Sequence, residues 1–348
     1  MFDSMQPVFD IFPEPMVCLS RGTVTGVNAA ARYYLPQLEA GSPVPDFLEM
    51  ACTVPAGAGS FTQGPNSYTF SAAPVAGEQL VLFRPAPQRL LTQCQMDSVL
   101  RHLRELLGEL IGAPRVWEED GQAALPLSSF SQSFHRMFRL VNNLSYMQQA
   151  AEGSVEFHPL TTDLSGLCRH LVSDAYDLLH RAGVTLDYEC PERSLLIPGD
   201  PELIQRMLLE LISNAARAVG EGRVILGLRR TRSRAVLTVS DNGPLLDQRQ
   251  MDALLQEGGA GGIPLPGQGA GLGLPIVRHI VSLHQGEMIT SLSQSTPSVM
   301  VSLPTGPLES RTKVASPRRL QQDGGFSPIL TALSGLLPRA LFTGQELD

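Results

Sequence analysis
The chain has 348 residues, 43% of them apolar, and its 26 Lys and Arg against 34 Asp and Glu leave a formal charge of −8. That length fits two or three domains with packed cores. The acidic balance, without a basic stripe, argues against a nucleic-acid partner.

No apolar run is long enough to span a bilayer, and the first seven residues lack a positive region and an apolar core, so a soluble cytoplasmic chain without a membrane span is expected. The five cysteines (Cys18, Cys52, Cys94, Cys168, Cys190) are scattered and odd in number, as free thiols in a reducing compartment would be. Residues 1–88 read as a first unit. Short strands are expected near 8–19, 22–27, 68–71 and 79–83, with a helix after Asn28, Ala29 and Ala30. The Pro- and Gly-rich stretch 54–60 reads as a surface loop. The Asn-x-Ala-Ala segment after a strand and turn resembles a small PAS sensor domain. No haem or flavin ligand is apparent, and sensing and a dimerising or spacer role both stay open.

Residues 89–150 read as a helical hairpin. Leu100, Leu103, Leu107 and Leu110 make one apolar seam, and Phe134, Met137, Val141 and Leu144 make the matching one. One hairpin cannot bury both seams, so pairing into a four-helix bundle predicts a homodimer. His102 falls off the first seam and should be exposed. His135, on the second helix, is read as a surface residue.

From 155 to 304 helices alternate with strands, as in an α/β sandwich with helices on one face of a mixed sheet. Three segments stand out. Glu210 and Asn214 lie one helical turn apart on one face, where such a pair could hold Mg²⁺ and its waters. The apolar strand 234–240 runs into Asp241, Asn242 and Gly243, a carboxylate acceptor followed by a residue that lets backbone approach a flat base. Gly267, Gly269, Gly271 and Gly273 form a glycine loop that enters a helix with Pro275 in its first turn, and the free amides there suit a polyphosphate. Residues 305–348 read as a linker and a short apolar helix that either docks on its own chain or binds a partner.

In order and spacing, these segments resemble the N, G1 and G2 boxes of the histidine-kinase ATP-binding domain, a member of the Bergerat-type superfamily that includes gyrase and mismatch-repair ATPases. Arg139, Asn143 and Tyr146 lie in a stretch that resembles the end of the second helix of the dimerisation and phosphotransfer domain. The resemblance spans roughly 97–304 and implies an α+β chain in which a PAS-like domain, a dimeric hairpin and a Bergerat sandwich follow one another. It implies ATP and Mg²⁺ as cofactors. Asn214 would coordinate the metal, Asp241 would accept from the adenine amino group, and Gly243 would pass under the base. Gly267, Gly269, Gly271, Leu272 and Gly273 would wrap the phosphates. Arg217 could reach phosphate or be a solvated charge, and Glu210 could be a second-shell magnesium group or a base.

The phosphoacceptor would be His102, with Glu105 as the nearest acid at helical spacing. Leu103 stands where relatives carry an acid, and Pro244 and Leu245 stand where many carry a second glycine. The expected function is a sensor histidine kinase that autophosphorylates on histidine and passes the phosphoryl group to a response regulator. The alternatives are a catalytically inactive ATP-binding dimeric regulatory scaffold and an ATP hydrolase using Glu210.

Overall fold
The computed structural model describes residues 9–52, 56–63, 66–75, 77–85, 99–101, 103–107, 124–243, 271–291, 298–306, 314–315 and 327–342. His102, Cys94, Gly267, Gly269, Pro244, Leu245 and Leu110 lie outside these residues.

In the first unit, β1 (Met16–Ser20) and β2 (Thr23–Val27) form a hairpin whose turn residues Arg21 and Gly22 both take positive φ, the geometry that matches strand twist. Asn28 then starts α1 (Ala29–Tyr34). Its Oδ1 accepts from the amides of Met16 and Ala31, both at 2.9 Å, and its Nδ2 donates to the carbonyls of Phe12 and Glu14. The fully buried amide is thus satisfied on both ends, which is the physical content of the Asn-x-Ala-Ala segment. A 3₁₀ turn (Asp46–Cys52) leads to β3 (Gly57–Gln63), β4 (Asn66–Val75) and β5 (Glu78–Pro85). The five strands are antiparallel in the order β2-β1-β5-β4-β3 around a core containing Phe61, Tyr68, Phe70 and Phe83.

The expected surface loop at 54–60 is corrected: from Gly57 onward this stretch is a buried strand. Its glycines serve close approach. A Cβ on Gly59 would lie 2.1 Å from the carbonyl oxygen of Met288 and 2.9 Å from the Phe70 ring.

Residues 99–101 and 103–107 are helical. Val99 and Leu106 face this chain's core, while Leu100 and Leu107 point outward. The long helix α2 (Ala124–Glu152) buries Leu140, Tyr146 and Met147 and leaves Phe130, Phe134 and Val141 exposed. His135 is buried rather than on the surface, a second correction. Its ring lies 5.4 Å from that of Phe342 and its Nδ1 lies 3.3 Å from Thr331 Oγ1, so a cover far along the chain removes it from water.

The remaining elements are β6 (Leu160–Asp163), α3 (Leu164–Arg181), β7 (Val184–Glu189), β8 (Leu196–Gly199), α4 (Pro201–Val219), β9 (Gly222–Thr231), β10 (Arg234–Asp241), α5 (Gly273–Leu283), β11 (Glu287–Ser291), β12 (Ser298–Pro304), β13 (Val314–Ala315) and α6 (Pro328–Leu333). Strands β11-β12-β10-β9-β7 form a mixed sheet, antiparallel except for the β7–β9 pair, and α3, α4 and α5 share one core with it. A small second sheet has the order β13-β6-β8.

The two five-stranded arrays are joined. β3 pairs antiparallel with β11, Gly57 opposite Ser291 and Phe61 opposite Glu287, so a single sheet of ten strands runs through both units. Ile289 and Met300 enter the first unit's core, and the Thr62 hydroxyl donates to Ser282 Oγ at 3.1 Å. Among the described residues no helix is long and apolar enough to cross a membrane.

A candidate ATP-binding site built on α4, β10 and α5
Helix α4 begins at a strong cap. The Asp200 carboxylate accepts from the amides of Glu202 and Leu203, Pro201 fills the first helical position, and Gly220 ends the helix at φ 68°. His284 steadies the same corner. Its Nδ1 donates to the Ile280 carbonyl at 2.7 Å, which leaves Nε2 to accept from the Asp200 amide at 3.0 Å. Burial pushes this imidazole below its usual range, in keeping with a neutral ring used once as donor and once as acceptor.

Along α4, Glu210 and Asn214 stand one turn apart, as the sequence spacing requires, and the start of α5 comes against both. A Cβ on Gly273 would lie 2.8 Å from Glu210 Oε2 and 3.0 Å from Asn214 Nδ2, so any larger residue would have to displace the ends of these two side chains. Gly271, at φ 69°, and the buried Leu272 lead into that helix start. Asp241 ends β10 opposite Val224 and is buried. Burial raises its carboxyl above the usual range, while the Gly243 amide, donating to Oδ1 at 2.9 Å, works the other way. Gly243 packs on the last turn of α4, where a Cβ would meet the Ala218 carbonyl oxygen at 2.9 Å. Asn242 has a structural part: its Oδ1 accepts from the Arg223 amide at 2.8 Å and so anchors the turn.

The structure thus brings Gly273, preceded by Gly271 and Leu272, against Glu210 and Asn214 in the middle of α4, and sets Asp241 and Gly243 at the C-terminal end of that helix, about one turn beyond Asn214. Residues 251–257 and the remaining loop glycines fall outside the described residues.

Two residues carry more than their sequence signal suggested. Glu210 is fully enclosed, its Oε2 2.7 Å from Arg139 Nη2 and its Oε1 accepting from Asn143 Nδ2 at 3.2 Å. Burial would raise its carboxyl, but the charges and hydrogen bonds of Arg139, Arg217 and Asn143 outweigh it and hold it below the usual carboxylate range. An ionised carboxylate with both oxygens occupied is a poor proton acceptor. Arg217 is not a solvated charge. It is half-buried and donates to Ser213 Oγ at 2.9 Å, and burial together with nearby Arg139 brings it down to about 9 despite Glu210. In the sequence Arg139 and Asn143 are simply helix residues, and nothing local ties them to a helix about 70 residues on.

Among the described residues no cluster of three His, Cys, Asp or Glu could hold a metal. One amide oxygen, from Asn214, suits Mg²⁺ that draws its other ligands from phosphate and water.

Residues 199–307, which carry this glycine-lined helix junction, match the family described as histidine kinase-, DNA gyrase B-, and HSP90-like ATPase. Over a longer stretch the chain is similar to sensor histidine kinases. It is 32% identical to sensor histidine kinase TmoS of Ectopseudomonas mendocina over 191 residues, which is 50% of this chain and 19% of that one. With adaptive-response sensory kinase SasA of Crocosphaera subtropica it shares 26% identity over 172 residues, 48% of this chain and 45% of the relative. The matches therefore span less than half the length of these curated relatives. Among solved structures, Acinetobacter baumannii histidine kinase AdeS aligns at 18% identity with a TM-score of 0.49, covering 59% of this chain and 98% of that one.

Proposed function
We propose that this protein is an ATP-dependent sensor histidine kinase of the cytoplasm that autophosphorylates on His102 and passes the phosphoryl group to the receiver domain of a response regulator. The observation that carries this reading is the junction of α4 with α5, where Gly273 brings the start of α5 against the side chains of Glu210 and Asn214. In this reading Asn214 holds Mg²⁺ through its amide oxygen and Asp241 accepts from the adenine amino group. Gly243 lies under the base, and Gly267, Gly269, Gly271, Leu272 and Gly273 line the phosphates. Mg-ATP supplies the phosphoryl group, and the chain contributes positioning and neutralisation of charge. Glu210, clamped by Arg139 and Asn143, is a structural anion here, which weakens the ATP hydrolase alternative.

The homodimer is supported by two outward apolar rows: Leu100 with Leu107, and Phe134 with Val141, each pair seven residues apart as a bundle seam requires. The five-stranded antiparallel unit at the start of the chain supports a PAS-like domain. The scaffold alternative rests on Leu103, which stands where an orienting acid would follow His102.

Incubation with γ-labelled ATP separates these readings. Acid-labile, base-stable protein label that disappears in His102→Ala is the expected result. Nucleotide binding without any label favours the scaffold, and free phosphate release lost in Glu210→Gln favours the hydrolase.

A further inference from the structure
Residues 327–342 are neither a strand of the ATP-binding sheet nor part of the helical hairpin, yet their apolar side chains are buried. Ser327 caps α6, with Oγ accepting from the Leu330 amide, and Ile329, Leu330, Leu333, Leu337 and Phe342 are withdrawn from water. Side chains from two different helices converge on the carbonyls of this segment. From α2, Gln132 Nε2 donates to Ser334 O at 3.0 Å and Leu337 O at 2.8 Å, and Arg139 Nη1 donates to Ala332 O at 2.6 Å. From α4, the Ser213 hydroxyl donates to that same Ala332 oxygen at 3.1 Å, and Arg217 lies 3.8 Å from where a Cβ on Gly335 would stand.

Arg139 is the centre of this arrangement. One end of its guanidinium holds Glu210 of α4, while the other holds Ala332 and Ser213. The segment therefore completes the hydrogen bonding of an arginine that ties the hairpin to the nucleotide-binding helix. Lifting the segment takes from Gln132 its Ser334 and Leu337 acceptors, and from Arg139 and Ser213 the Ala332 carbonyl they share.

We propose that residues 327–342 are an intramolecular clasp that pins α4 to α2, keeps the ATP-binding domain docked on the hairpin, and restrains phosphoryl transfer until the segment lifts. The clasp itself stands on the contacts above; its effect on transfer rests on the kinase reading. In the kinase reading a bundle histidine must meet a nucleotide held on α4 and α5, and a segment hydrogen-bonded to both α2 and α4 opposes any reorientation of one against the other. The docked form is thereby the major population, and any ligand or partner preferring the free segment shifts the balance.

The test uses the full chain. Leu337→Asp puts a carboxylate where a buried side chain of the segment packs, and Gln132→Ala, a milder change, removes two of the carbonyl contacts. Distances between spin labels at the exposed positions Gln148 on α2 and Arg230 on β9, with the exposed Cys52 replaced by Ser, report docking without any need for activity. In Leu337→Asp the distance distribution should broaden and the initial rate of protein labelling from ATP should rise by roughly fivefold or more, as a coupling of this kind implies. Gln132→Ala should move both readouts the same way by less, which keeps the test valid if the aspartate variant does not fold. An excess of peptide 327–342 should narrow the distribution again. The clasp is overturned if amide exchange shows the segment lifted while the label distances stay unchanged, or if the rate stays level or falls in a protein that still labels itself. Absence of label in every protein counts against the kinase reading alone, and the distances then decide the clasp.

Discussion
Two joints hold this molecule together, and each contains a buried Arg–Glu pair in the opposite electrostatic condition. At the joint between α2 and α4, Arg139 and Glu210 meet at 2.7 Å; Asn143 donates to the second carboxylate oxygen and Arg217 adds positive charge, so Glu210 stays ionised. At the seam between β3 and β11, Arg234 Nη2 lies 2.9 Å from Glu287 Oε1. That arginine is shared with Ser302, and the carboxylate oxygen gains no well-aligned hydrogen bond. Burial, with Asp46 and Glu49 adding to it against the pull of Arg234, pushes Glu287 up to about 8. Proximity of opposite charges does not decide the state of a buried carboxylate. The number of donors that replace its lost water does.

The strongest way to break this comparison is Arg139→Met, which leaves Glu210 enclosed without its cation. A loss of about 3–5 kcal/mol is expected, read by denaturant unfolding. A loss below about 1 kcal/mol would show that the pair contributes little. Glu287→Gln sharpens the other side. A raised carboxyl is favoured in its protonated form by the folded chain, so its stabilising contribution is full below the ordinary value of 4.5 and falls as pH climbs to about 8. The Gln variant, always neutral, should match the parent near pH 5, gain on it progressively as pH climbs towards 8, and hold its advantage above that. Parallel pH profiles for the two proteins would contradict the assignment. The smallest effect belongs to the rim of the seam, where the well-exposed Arg232 pairs with Glu49 at 3.1 Å. Arg232→Ala should change the midpoint of thermal unfolding by no more than about 1 kcal/mol equivalent, less in high salt.

The candidate nucleotide site was legible in the sequence because its signals are written locally. A carboxylate and an amide one turn apart, an acid closing an apolar strand and a glycine run entering a helix each depend on neighbours in the chain. What escaped depends on distant ones. Residues 54–60 look like a loop because glycine and proline dominate, whereas Gly57 and Gly59 are small to let a strand more than 200 residues later come alongside. His135 lies between Phe134 and Arg136 on a helix, and its cover includes Thr331 and Phe342, about 200 residues further along the chain. Glu210 read as a possible base because its partner, Arg139, lies on another helix.

The union of β3 with β11 also governs how this protein can be divided. Each strand would otherwise be the outermost of its own array, with a row of unpaired amides and carbonyls. Expressing either half alone would uncover that row beside Met288 and Ile289 or beside Phe61, apolar side chains the intact chain keeps dry. Such a fragment would recruit its own kind strand against strand, and its insolubility would reflect the cut rather than a failure to fold.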